Sequence, residues 1–349
     1  MQTPSLLEAR PASTHVPNRT DRVRLPDDVQ LDSGNTDRID RWIDYSIAGP
    51  DRAPLVIALG GISANRHVQD GPRGESGWWR HIVGPGLAVD TRSVRVLGID
   101  WLGRRLDRPT TAPDATRTDV DYPRVSTRDQ ARALAHVLDT LGEVDVAAFV
   151  GASYGGMVGL AFASDYPTRL QRLVVLCAAH RPHPMATAHR AVQRGIVHLA
   201  GERGDPAQGL TLARALAMTT YRTSEEFDDR FEVRPVPGSN GAFEVEQYLY
   251  ARGRQFRDHF EPDAFCCLSH SIDLHHVDPE TVRVPTHLVS FDSDTLVPVW
   301  LIEELERELV TDCEHHRLTS RVGHDGFLKE TQQVGALLSQ LLADVGGES

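Results

Sequence analysis

The sequence lacks the features that would place it among secreted, membrane-spanning or nucleic-acid-binding proteins. Its four cysteines, Cys177, Cys266, Cys267 and Cys313, show no CxxC spacing, and the neighbours Cys266 and Cys267 are badly placed to bridge each other or to share one metal ion. A disulfide framework is therefore not expected, and a reducing, cytoplasmic setting is. No apolar run approaches the roughly 18 residues needed to cross a bilayer, and the opening MQTPSLLEARPASTHVPNRTDR has no unbroken apolar stretch of the secretory kind. No membrane partner is expected. Positive charge is also scarce: 37 Lys and Arg against 49 Asp and Glu leave a formal charge of −12, which repels nucleic acid. A local basic pocket can still attract an anionic substrate. What the chain does have is core material, since 40% hydrophobic residues over 349 positions suffice for one large domain or two small ones.

Residues 1–22 are rich in Pro, Ser, Thr and Asn and read as a poorly ordered tail. Beyond them, short apolar or β-branched runs alternate with amphipathic helical patterns: LVIAL at 55–59, VRVLGI at 94–99, VDVAAFVG at 144–151, LQRLVVL at 170–176 and THLVSF at 286–291. Such alternation predicts an α/β fold, a mostly parallel sheet flanked by helices. Between the fourth and fifth runs lie about a hundred residues with helical periodicity and no clear strand. That is too long for a crossover, so 182–282 is expected to be an inserted helical cap, with 23–181 and 283–349 forming the core.

The third run leads into Gly151-Ala152-Ser153-Tyr154-Gly155, followed by a helical stretch that ends before Pro167. This is G-x-S-x-G in the context it requires, strand, sharp turn and helix, which lifts a serine side chain clear of the sheet. A serine is a weak nucleophile without a base, and on an α/β-hydrolase fold the chain order is Ser, then Asp or Glu, then His. The acid falls in FDSDTLVPVW, where Asp294 is preferred over Asp292 because it sits further into the loop; Asp292 is better placed to accept from turn amides. The base is His324 in RVGHDGFLKE, chosen by its position in the last loop before the final helix, beside Gly323. The histidines of HRPHP and CEHHR read as solvated. The adjacent pairs His275–His276 and His315–His316 lack zinc-site spacing, so no metal is expected. An oxyanion would be met by the amide of Tyr154 and by one from the turn after the first core strand, at Leu59 or Gly60.

Longer segments narrow the chemistry. GWWRHIVGPGLAVDTRSVRVLGID (77–100), GASYGGMVGLAFASDYP, QGLTLARALAMTTYRT (208–223), EVEQYLYARGRQF (244–256), AFCCLSHSIDLHH (264–276) and GHDGFL (323–328) together resemble the homoserine O-acyltransferase family of the α/β-hydrolase superfamily. The likeness runs from about Pro54 to Leu341. It implies Ser153, Asp294 and His324 as the catalytic set, in agreement with the reading above. It further implies that Arg214 grips the α-carboxylate of an amino-acid substrate and that Asp325 holds the α-ammonium, roles that suit a planar guanidinium and a carboxylate. Acetyl-transferring members resemble an asparagine type where this chain has Arg190. An added cation near the acyl pocket fits an acyl group ending in a carboxylate, so succinyl transfer is expected, with Arg190 as the donor contact and Arg66 or Arg194 as substitutes. The resemblance thus implies a homodimeric enzyme with no permanently bound cofactor. It would move succinyl from succinyl-CoA to homoserine through an acyl-serine, for methionine synthesis. The alternatives are acetyl-CoA as donor, serine as acceptor, and an esterase or thioesterase with no amino-acid acceptor.

Overall fold

The computed structural model describes residues 18–32, 39–103 and 122–345. Its strands are β1 (Asn18–Arg24), β2 (Trp42–Ala48), β3 (Leu55–Leu59), the short pair β4 (Val83–Gly84) and β5 (Val89–Asp90), β6 (Arg95–Ile99), β7 (Ala148–Ala152), β8 (Leu173–Leu176), β9 (Thr286–Phe291) and β10 (Cys313–Leu318). All but β4 and β5 join one eight-stranded sheet in the order β1-β2-β6-β3-β7-β8-β9-β10. Strand β2 runs antiparallel to β1 and β6, and the remaining neighbours are parallel. Strands β3, β7 and β8 are buried along their whole length because both faces of the sheet are covered, which is why they read as continuous apolar runs. Alternate residues feed opposite cores: Phe149 packs with Phe162 and Leu134 on one face, and Val150 with Trp79 and Phe327 on the other.

Among the described residues two α-helices precede the cap, α1 (Thr127–Leu141) and α2 (Tyr154–Asp165). Helix α2 lies so deep that every residue from Tyr154 to Ala163 is buried, so its sequence shows no polar face. Between β8 and β9 come five helices, α3 (Pro184–Glu202), α4 (Pro206–Tyr221), α5 (Ser224–Arg230), α6 (Glu244–Arg257) and α7 (Pro262–Asp273). Their starts are written locally. Proline occupies the first turn of α3, α4 and α7, where its missing N–H costs nothing, and the side chains of His183, Asp205 and Thr223 accept from the first-turn amides of α3, α4 and α5. The chain then returns through β9 to α8 (Val299–Glu308), β10, α9 (Gly326–Lys329) and α10 (Thr331–Leu341). No helix of the described residues is long and apolar enough to cross a membrane.

The expected tail needs correction at its inner end. Strand β1 begins at Asn18, so residues 18–22 belong to the core sheet; residues 1–17 lie outside the described residues. The reason it escapes a sequence reading is its composition. NRTDRVR buries only Val23, and the strand is held instead by its backbone ladder to β2, by Ser46 donating to Asn18 Oδ1 at 2.9 Å, and by Arg22 pairing with Asp44 at 3.0 Å. Strand β10, CEHHRL, is equally polar because it forms the opposite edge of the sheet.

Candidate active site

Strand β7 delivers Ser153 at the sheet's carboxyl end, and the backbone must reverse there to start α2. Ser153 adopts φ +54° and ψ −118°, a conformation that L-residues rarely hold, so strain is stored at the elbow. The flanking glycine at 155 is a steric necessity. A Cβ there would lie 2.1 Å from the Leu59 carbonyl oxygen, because the elbow is pressed against the turn after β3, and its N–H donates to the Gly60 carbonyl at 2.8 Å.

The base and acid arrive from the loops after β10 and β9. His324 sits in a 3-10 turn whose entry, Gly323, has φ +79° and donates its amide to Ser293 Oγ at 3.1 Å. His324 Nδ1 lies 2.7 Å from Asp294 Oδ2, and Nε2 lies 2.9 Å from Ser153 Oγ. An ionised carboxylate only accepts, so Nδ1 carries the proton and Nε2 is left to accept from the serine hydroxyl. Asp294 is fixed by the amides of Leu296 and Val297, which donate to its Oδ1 at 2.9 and 3.0 Å. Asp292 turns away and accepts from the amide of Ser320 at 3.0 Å, so the geometry selects Asp294 of the two. Burial alone would lower the basicity of His324. The charge and hydrogen bond of Asp294, with the further charge of Asp325, outweigh it and raise the imidazole above its ordinary value.

Cys177, at the end of β8, lies beside Asp294 and His324 but is no rival nucleophile. Burial, with Asp294 and Asp325 nearby, pushes its thiol far up, so it stays neutral. The turn after β3 is pinned by its carbonyls: Gly60 accepts from Gly155, and Gly61 from the indole N–H of Trp101 at 3.2 Å. Gly61 and Ile62 then border the same cavity as Ser153.

That cavity lies between the sheet's carboxyl edge and the cap, and it gathers Ser153, His324, Asp325, Arg214 and Arg190. Arg214, on α4, has its guanidinium 4.7 Å from the ring of Phe256 and 5.1 Å from that of Tyr221, and it makes no ion pair among the described residues. Asp325 already has one partner, Arg222, at 3.0 Å. Arg222 is only 6% exposed and also grips Glu226 at 3.0 Å, so it locks the end of α4 and the start of α5 onto the His324 loop. Tyr221, Phe256 and Arg222 were not picked out by sequence reasoning. Arg222 and Asp325 stand about a hundred positions apart, and no spacing rule connects them.

The three cations named for the acyl donor fare differently. Arg190 borders the cavity, but its Nε donates to Asp273 Oδ1 at 2.7 Å, and burial disfavours its charge. Arg194 takes the other oxygen of Asp273 at 2.7 Å and donates to Ser269 Oγ at 2.9 Å, one layer behind. Arg66 must be withdrawn: it does not border the cavity, because its guanidinium and its amide both bind Asp100, at 2.5 and 2.8 Å. A carboxylate next to β6 claims it first. The histidines read as solvated are also largely covered. His180 is buried against Glu304 at 3.3 Å, His183 borders the cavity, and the side chain of His315 is buried between Ser290 and Glu306.

Comparison with known proteins places this geometry among relatives. A family profile described as the alpha/beta hydrolase fold matches residues 54–331. The chain is 42% identical to a homoserine O-succinyltransferase of Xanthomonas campestris pv. campestris, covering 86% of this chain and 79% of the relative. It is 34% identical to a homoserine O-acetyltransferase of Thermus thermophilus, over 77% of this chain and 73% of the relative. Among solved structures, a homoserine O-acetyltransferase from Bacillus anthracis superposes with a TM-score of 0.80 over 95% of this chain and 99% of its own, at 17% identity, a likeness of fold.

Proposed function

Because the chain belongs to the homoserine O-acyltransferase family of the alpha/beta hydrolase fold, we propose that it transfers a succinyl group from succinyl-CoA to the side-chain hydroxyl of L-homoserine. The observation that carries this reading is the cavity's pairing of chemistries. A serine relayed through His324 to Asp294 can take an acyl group, and the same cavity holds a guanidinium with no ion-pair partner among the described residues and a carboxylate, the two charges that a free amino acid requires. A simple esterase has no use for such a pair.

In the proposed sequence His324 takes the Ser153 proton as Oγ attacks the thioester carbonyl, and the Tyr154 amide with one from the Leu59–Gly60 turn receives the oxyanion. The C–S bond breaks, His324 returns the proton to the CoA sulfur, and a succinyl-Ser153 ester remains. Homoserine then binds through Arg214 and Asp325, and His324 deprotonates its hydroxyl. Attack on the ester breaks its bond to Ser153 Oγ, His324 returns the proton to that oxygen, and O-succinylhomoserine leaves the restored serine. The cap narrows access to water while the ester waits. The product would enter methionine synthesis in the cytoplasm. We take the working form to be a homodimer, which the exposed Leu199, Leu212 and Tyr250 on the cap support.

The test is thiol release from succinyl-CoA and from acetyl-CoA, each with homoserine, with serine and with no acceptor. Succinyl-CoA with homoserine should dominate; release that ignores the acceptor would make the enzyme a hydrolase. Donor choice is further tested at Arg190. Its salt bridge to Asp273 shares that carboxylate with Arg194, leaving two cations against one anion and room for a second carboxylate. Arg190→Asn should lower kcat/KM for succinyl-CoA by about 10- to 100-fold, the size of a lost charged hydrogen bond, and leave acetyl-CoA within about threefold.

The pH profile has a definite sign. Attack needs neutral His324, and its raised affinity for a proton keeps it protonated to higher pH than a free imidazole. The acid limb of kcat/KM for the donor should therefore fall above the ordinary histidine value of about 6.5. Asp325→Asn removes one of the raising charges and should move that limb to lower pH.

A further inference from the structure

We propose that His287, Glu314 and His316 form a binding site for a divalent transition metal of the zinc type, on the outer edge of the sheet and apart from Ser153. Strands β9 and β10 are parallel neighbours in which Glu314 stands directly opposite His287. His316 follows Glu314 by two, so all three side chains leave the same face of the sheet. Their donor atoms form a nearly equilateral triangle. His287 Nδ1 is 3.5 Å from Glu314 Oε2, His316 Nε2 is 3.6 Å from the same oxygen, and the two nitrogens are 3.4 Å apart. Zinc bonds of about 2.0–2.1 Å to nitrogen and oxygen in a tetrahedral arrangement separate the donors by roughly 3.3 Å. The triangle needs to contract by only a few tenths of an ångström.

The donor set and surroundings suit the ion. Two imidazoles and one carboxylate match zinc, nickel or copper better than magnesium or calcium, which favour oxygen alone. The histidine side chains are 17% and 21% exposed and Glu314 is 70% exposed, so protein holds the nitrogens while water can complete the shell. Arg172, whose charge acts on His287, is already neutralised by Asp344 in two bonds of 2.6 and 2.7 Å. The adjacent His315 takes no part. It points to the opposite face, onto Ser290 and Glu306, so the site is built from register across two strands and leaves no mark in linear spacing. Strand β10 is the sheet's edge, and a bound ion would fasten it to β9.

The experiment uses the full chain without a histidine tag, stripped by a chelator and titrated with Zn2+, alongside His287→Gln and His316→Gln. Metal per chain is read by equilibrium dialysis, and thermal midpoint and acyl transfer are followed in parallel. Wild type should take up one ion at micromolar free zinc, with a midpoint rise of about 4 °C at a hundredfold excess over Kd. Each variant should bind at least about tenfold more weakly and lose at least about half of the rise at the same free zinc, with its midpoint in chelator and its transfer rate unchanged. Equal uptake by wild type and variants would overturn the site. So would an absence of uptake, or binding that survives in both variants and inhibits transfer, which would place the ion on His324 instead.

Discussion

Replacing Ser153 with alanine should lower acyl transfer by about 10⁴- to 10⁶-fold, the loss seen when the nucleophile of such a relay is removed. The expectation rests on geometry that leaves no substitute. Ser153 Oγ is the atom that His324 Nε2 reaches at 2.9 Å, and Cys177 is held as a neutral, buried thiol. His324→Ala should cost nearly as much, and the double variant scarcely more than either, because the two side chains act as one unit. The check is single-turnover thiol release from succinyl-CoA beside a thermal melt. A melt close to wild type with release reduced to background supports the acyl-serine route. A Ser153→Ala enzyme that still releases one thiol per site would move the covalent step to another group.

Much of this site can be read in the sequence because its parts are local. The elbow needs Gly155 to let two backbones touch, and the base needs Gly323 for a left-handed entry, so both leave glycines beside the functional residue. Strands β3, β7 and β8 announce themselves for a similar reason, since burial on both faces demands unbroken apolar runs. The polar edge strands β1 and β10 do not, because they are held by their backbone ladders and ion pairs rather than by burial. Long-range pairing is equally invisible. Arg66 looked available for an acyl carboxylate, yet Asp100 takes it; Asp325 looked free, yet Arg222 holds it from the cap. Charges in a sequence show which ions are present and not which are already spoken for.

Arg214 is where that distinction matters most, and Arg214→Ala should lower kcat/KM for homoserine by about 100- to 1000-fold, the usual cost of deleting one member of a desolvated charge pair. The donor half-reaction should be untouched within about twofold, because the guanidinium meets only the acceptor's carboxylate. That split separates a substrate clamp from a structural arginine. Arg214 packs on the rings of Phe256 and Tyr221 at 4.7 and 5.1 Å, so a merely structural arginine would loosen the cap when lost, and a loosened cap would raise water attack on the acyl-enzyme as well. Arg214→Lys resolves the ambiguity. It keeps the charge and most of the stem but loses the planar fork, and a clamp that relies on two parallel bonds should recover only part of the homoserine affinity. Pre-steady-state thiol bursts with succinyl-CoA, followed by chase with increasing homoserine, measure both halves in one experiment. A normal burst with a raised homoserine requirement in both variants fits the clamp. An unchanged homoserine requirement in Arg214→Ala would show that the α-carboxylate is held elsewhere.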